Sequence, residues 1–298
     1  MRAVLYDFRE QNACPNILIP AMSDTAHFPT CTKPLDTRMN KIFRLLFLSI
    51  VAVTPFGMSR AGLAASYTAV AISDSFVTTG PSGNLSNNNY GGGGALAVAA
   101  SGLPNGEFQS VIKFGLAAAR SSFDVEFGAG EWSIQSVSLQ LSSSPHSNAI
   151  YNDVAPGLFS VSLMQNNSWV EGTGNASNPA ANGISYNSLQ STFVNNAVDQ
   201  PLGTFSFSGG TSGANNYALN LSSDLAADIL AGSDMSLRLF AADGEVSYLF
   251  SSRAAGAGSQ PQLTILAVPE PNVLALLGLG LGILLWRFHS GPKPSSLR

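Results

Sequence analysis

Ile134-Gln135-Ser136-Val137-Ser138-Leu139-Gln140-Leu141 alternates without a break. Val137, Leu139 and Leu141 fall on one side, and Ser136, Ser138 and Gln140 on the other. The stretch therefore predicts a strand with one buried and one wetted face. The same period recurs in Tyr67–Ile72, Ala95–Ala99, Ser110–Phe114, Phe159–Leu163 and Gly203–Phe207. Tyr217–Leu221, Met235–Phe240, Tyr248–Phe250 and Leu263–Leu266 complete ten predicted strands. Strands with polar outer faces pair antiparallel and pack on a shared core, so the expected class is an all-β sandwich. One short helix interrupts the pattern. Ser223 is placed to cap Asp224–Ala231, with Asp224 favourable to the helix dipole and Gly232 as the stop.

Residues 65–267 are enough for one such domain with a substantial core. They hold Lys113, Arg120, Arg238 and Arg253 against thirteen acidic side chains, a balance of 4 − 13 = −9. This balance argues against nucleic acid as a partner, because nothing offsets phosphate repulsion. The chain's two cysteines are Cys14 and Cys31, so the domain contains none and depends on its core alone.

Both ends read as targeting segments. Residues 1–38 form no periodic pattern, and at Met39 a basic-apolar-small order begins abruptly. Lys41 and Arg44 precede Leu45–Val53, and Ser59-Arg60-Ala61 and Gly62-Leu63-Ala64 offer small-x-small cleavage sites. We expect a signal peptide over 39–64 and read 1–38 as an upstream extension; the alternative is a genuine leader before an internal signal anchor. At the other end, Val268-Pro269-Glu270-Pro271 is followed by an apolar run over 273–288 in which only Arg287 is charged. As a helix it would be roughly 24 Å long, a short single transmembrane span. Arg287, Lys293 and Arg298 follow it, which places the C-terminus inside and the domain outside.

The order Pro-Glu-Pro, apolar span and basic end resembles the PEP-CTERM sorting signal of Gram-negative, exopolysaccharide-producing bacteria. The resemblance rests on Val268, Pro269, Glu270, Pro271 and Arg287. It implies export, transient anchoring in the inner membrane and an exosortase as partner. The basic residues here are more widely spaced than that family's usual cluster. A second resemblance covers about 72–267. Asp74-Ser75-Phe76-Val77, Asn88-Asn89-Tyr90-Gly91, Ser168-Trp169-Val170-Glu171-Gly172 and the closing Phe250-Ser251-Ser252-Arg253 are similar, in that order, to DNRLRE (disaggregatase-related) domains. That resemblance implies a jelly-roll-like sandwich, several relatives of which are similar to carbohydrate-binding modules.

No catalytic constellation stands out, so no enzyme activity is expected. His146 lies in a turn composition, Ser142–Asn148, without a nucleophile elbow elsewhere. Gly91–Gly94 lacks the lysine of a phosphate loop and reads as a flexible turn. Asp124 with Glu126 or Glu131 is a candidate carboxylate pair for glycoside hydrolysis, set against a solvated strand or loop face. The loop 165–187 carries Trp169, Glu171 and Tyr186, a candidate sugar site by aromatic stacking and hydrogen bonding; alternatively Trp169 plugs one end of the sandwich. Asp243, Glu245 and Asp74 are candidate oxygen ligands for calcium, though no loop has calcium-motif spacing. The reading is an exported, non-enzymatic surface or matrix protein of the exopolysaccharide layer. A carbohydrate-binding module is the alternative, and a cryptic glycan-active enzyme the third class.

Overall fold

The structure is a computed structural model that describes residues 63–145 and 149–271, together with 277, 278 and 280–284. The predicted signal segment up to residue 62, most of the predicted span, Arg287 and His146 lie outside the described residues.

All ten predicted strands form. They are β1 (Ala65–Thr78), β2 (Ala95–Ala99), β3 (Phe108–Gly115), β4 (Trp132–Ser144), β5 (Gly157–Met164), β6 (Gln200–Phe207), β7 (Ala214–Leu219), β8 (Asp234–Ala241), β9 (Ser247–Ser251) and β10 (Gln262–Pro269). Every pairing between them is antiparallel. The path runs β1-β10-β4-β9-β2-β3-β8-β5-β6, β7 adds to β4, and β1 also pairs with β3. That last pairing returns the sheet to its own first strand, so the all-β body is sandwich- or barrel-like.

Two strands make the wrap possible by changing partner along their length. The first half of β1 pairs with β10 and the second half with β3, with the register broken between Ala71 and Ser73. Strand β4 pairs with β7 through Ser142 and then with β9 at Ser143 and Ser144. A register break of this kind re-aims the strand and lets one sheet turn a corner.

The period-2 reading places the core. Val137, Leu139 and Leu141 are fully buried, and they join Ile112, Phe114, Phe159, Val161, Leu237, Leu239, Tyr248 and Phe250 in one large cluster. Two smaller clusters lie on the opposite sides of some of these strands. Phe76 stacks on Tyr90 at 4.6 Å between ring centres and packs with Ala97, Ala99, Phe108 and Leu249. Val77 and Val111 gather Met164, Trp169, Ile184 and Leu189.

Helix α1 (Ala117–Phe127) was not legible as a helix; the sequence reading left its carboxylates on a strand or loop face. Only Ala119 and Phe123 are buried along it, too narrow a stripe to show in the pattern. Helix α2 (Ser223–Ala231) is the predicted one, shifted by a residue. Ser222, not Ser223, is the cap, accepting from the Leu225 N–H, and Gly232 closes the helix at φ 68° in the left-handed region. A further short turn, Tyr186–Ser188, runs on into Leu189–Phe193.

Candidate functional site

The segment with the most chemistry is the long connection from β5 to β6. Its residues 165–194 lie over the outer side of β1, β3, β8 and β5. Alternation explains why that side can hold them. Ile112 and Phe114 point into the main core, so Gln109, Val111 and Lys113 point out, as do Ser236 and Arg238 on β8. These outward residues bind the loop. Lys113 Nζ donates to the Asn167 and Trp169 carbonyls at 2.7 and 3.1 Å and lies 4.7 Å from the Trp169 ring centre. Trp169 is 2% exposed and donates its indole N–H to Ser236 Oγ at 2.8 Å.

The three candidate sugar contacts are thus drawn into separate internal interactions. Trp169 presents no open face for stacking, and it seals the outer side of a sheet rather than an end of the sandwich. Glu171 accepts a two-pronged pair from the Nε and Nη2 of Arg253, at 2.8 and 2.7 Å. Tyr186 gives its hydroxyl to Glu107 at 2.7 Å, and burial with that bond pushes its ionisation well above the usual tyrosine range. Behind it, Arg238 donates to Gln109 at 2.8 Å, and Gln190 donates to the same Gln109 oxygen at 3.1 Å.

Asn89 is the residue that sequence reasoning missed. It is fully buried. Its amide nitrogen donates to the Glu171 and Ile184 carbonyls at 2.6 and 2.8 Å, and its amide oxygen accepts from Gly91 and Gly174 at 3.2 and 3.1 Å. All four side-chain positions are used, which ties both ends of the loop to one point. The adjoining Gly91–Gly94 is therefore more than a flexible turn. A side chain at Gly91 would collide with the Glu171 carbonyl, and one at Gly92 with that of Thr173. The glycines let two backbones touch, and the Gly92 N–H donates to the Gly174 carbonyl at 2.7 Å. The available signal was a cation, Lys113 or Arg238, at an outward position inside an apolar strand. Such a charge needs a partner from elsewhere in the chain.

The other candidates are separated by the fold. Asp124 and Glu126 lie on α1, where residues two apart face different directions. Asp124 accepts the Trp132 indole N–H at 2.8 Å and meets Arg120 at 3.5 Å, while Glu126 and Glu131 are exposed. Asp124 edges an open cleft of about 510 Å³ that also meets Arg120, Trp132, Leu221, Leu230 and Glu270. Asp243 spends its carboxylate on backbone N–H groups, accepting from Glu245 and Val246 of its own turn and from Leu158 on β5. Burial acts to raise its carboxyl, and the three backbone bonds together outweigh it and hold the group below the usual range. Asp74 is buried and accepts from the Arg253 N–H at 2.6 Å. Among the described residues, no three His, Cys, Asp or Glu side chains gather as a metal site.

The start of the Pro-Glu-Pro element is part of the sheet. Strand β10 continues past Leu266, with Val268 opposite Ser133 and Pro269 opposite Trp132. The Glu270 N–H donates to the Glu131 carbonyl at 2.8 Å. Among the described residues, no helix is long and apolar enough to cross a membrane. Compared with protein-family models and with curated proteins, the chain has no match.

Proposed function

We propose that the chain is an exported, membrane-anchored surface protein, sorted by an exosortase, with a structural or interaction role in an extracellular polysaccharide layer. The observation that carries this reading is the order at the C-terminus: Val268-Pro269-Glu270-Pro271, an apolar run over 273–288 and a basic end. The position of Pro269 at the last rung of β10 supports it, because an anchor can leave the domain there without crossing the core. We read the wrapped sheet as jelly-roll-like, with a signal helix before it and a single transmembrane helix after it. The non-enzymatic reading draws support from the way Trp169, Glu171, Tyr186, Asp124 and Asp243 are committed to internal contacts.

The test is fractionation of a Gram-negative host expressing the full chain with and without an exosortase. The expected result is an inner-membrane form without the enzyme and a shortened, surface-exposed form with it. A full-length chain found in the cytoplasm in both hosts overturns the proposal.

A further inference from the structure

The two broad outer sides of the wrap are unlike each other. One is roofed by residues 165–194. The other, made by the first half of β1 with β10, β4 and β7, is open to solvent. In register across it lie Thr68, Thr264 and Ser138 in one row, and Gln262, Gln140 and Asn216 in the next. Thr68 and Asn216 are exposed and the others half-buried. The Thr68 and Thr264 hydroxyls are 3.0 Å apart. No Asp, Glu, Lys or Arg occurs in 65–72, 132–144, 214–219 or 262–269, although 65–267 carries 4 + 13 = 17 charged side chains.

We propose that this uncharged face is a docking surface for a neutral polysaccharide. Sugar hydroxyls both donate and accept, and so do the amides and hydroxyls of this face. Polymer contact buries no ionised group, so the largest desolvation cost is avoided. A protein partner would need aromatic or arginine anchors in an apolar patch. This face has neither, and its exposed large apolar residues are the aliphatic neighbours Val70 and Ile72 on β1, at 44% and 45%. An anionic polymer would meet a domain of net charge −9. Single contacts here are weak and wet, and a long chain gains by repeating them over many copies held at one surface. The inference deepens the proposed matrix role and rests on it for the presence of the polymer. It moves the contact away from the Trp169 loop.

The experiment uses the full-length chain in a sugar-free non-ionic detergent, co-sedimented with microcrystalline cellulose, curdlan and starch granules. Calcium alginate is the anionic counter-probe. Gln140→Glu and Thr68→Asp each add one carboxylate to the face. The chain is expected to pellet with at least one neutral polymer and not with alginate. Each variant is expected to lose roughly tenfold in affinity at an unchanged melting temperature. If Gln140→Glu disturbs folding, Thr68→Asp on the outer strand carries the test. No retention on any neutral polymer overturns the proposal, as does equal retention of both variants or a preference for alginate. Self-association that Gln140→Glu abolishes, without polymer binding, would make the face a contact between copies and also overturn it. Membrane fractionation reads sorting separately, so polymer binding by a mislocalised chain would sink only the localisation.

Discussion

Asn89 and Trp169 show how much single side chains carry when no disulfide helps. Replacing Asn89 by Ala strands two carbonyls and two N–H groups in a buried place. Each orphaned group costs about 1–3 kcal/mol, and partial rearrangement leaves an expected loss of about 3 kcal/mol in urea unfolding. Trp169→Ala opens a cavity beside Val77, Val111 and Leu189 and is expected to cost about 3–5 kcal/mol. An unchanged urea midpoint would return Trp169 to the candidate sugar contacts. Asp74 sets a pH dependence. Burial pushes its carboxyl up to about 7, and the Glu171 charge adds to this, while the Arg253 N–H and guanidinium oppose it. An unfolded Asp titrates near 4, so between about pH 4 and pH 7 the folded state holds a proton that the unfolded state has released. The stability contributed by the neutral carboxyl is complete below about pH 4 and is lost as pH rises to about 7. Asp74→Asn is expected to flatten this dependence and raise stability at pH 8 by ~2–3 kcal/mol. A steeper fall in the variant, read from urea midpoints across pH 4–8, would contradict the assignment.

At the scale of elements, β10 joins the domain to its tail. The predicted strand ended at Leu266, with Pro269 and Pro271 blocking further pairing. In the structure it runs to Pro269, because a proline at the last rung forfeits no ladder bond that must be made. Two truncations separate the consequences. A chain ending at Pro271 keeps the Val268–Ser133 and Pro269–Trp132 pairs and the Glu270 N–H bond. A chain ending at Ala267 loses them and uncovers part of Trp132. The shorter chain is expected to be less stable by about 1–2 kcal/mol, measured as a lower thermal midpoint. Equal midpoints would show that the Pro-Glu-Pro element adds nothing to the fold.

At the scale of the molecule, the domain stands on one large cluster and two satellites, with no cysteine between Ala65 and Ala267. Its melting temperature is therefore expected to be the same with and without a thiol reductant. A shift of more than about 2 °C would mean that Cys14 and Cys31 contribute to stability.

The sequence by itself determined the ten strands, their buried sides, the helix that ends at Gly232 and the acidic balance. These follow from local period, cap and stop residues, and counting, and no distant contact is needed to read them. It left α1 hidden, because a helix with two buried residues differs little from a loop in its pattern. Only the tertiary structure decided which outer side of the sheet would be covered. Trp169 finds Ser236 across 67 residues and Asn89 finds Gly174 across 85, and alternation along a strand carries no record of such pairings. Alternation marks an outward position as polar or apolar. Whether water, a loop or a polymer then covers it depends on chain segments that local pattern does not connect.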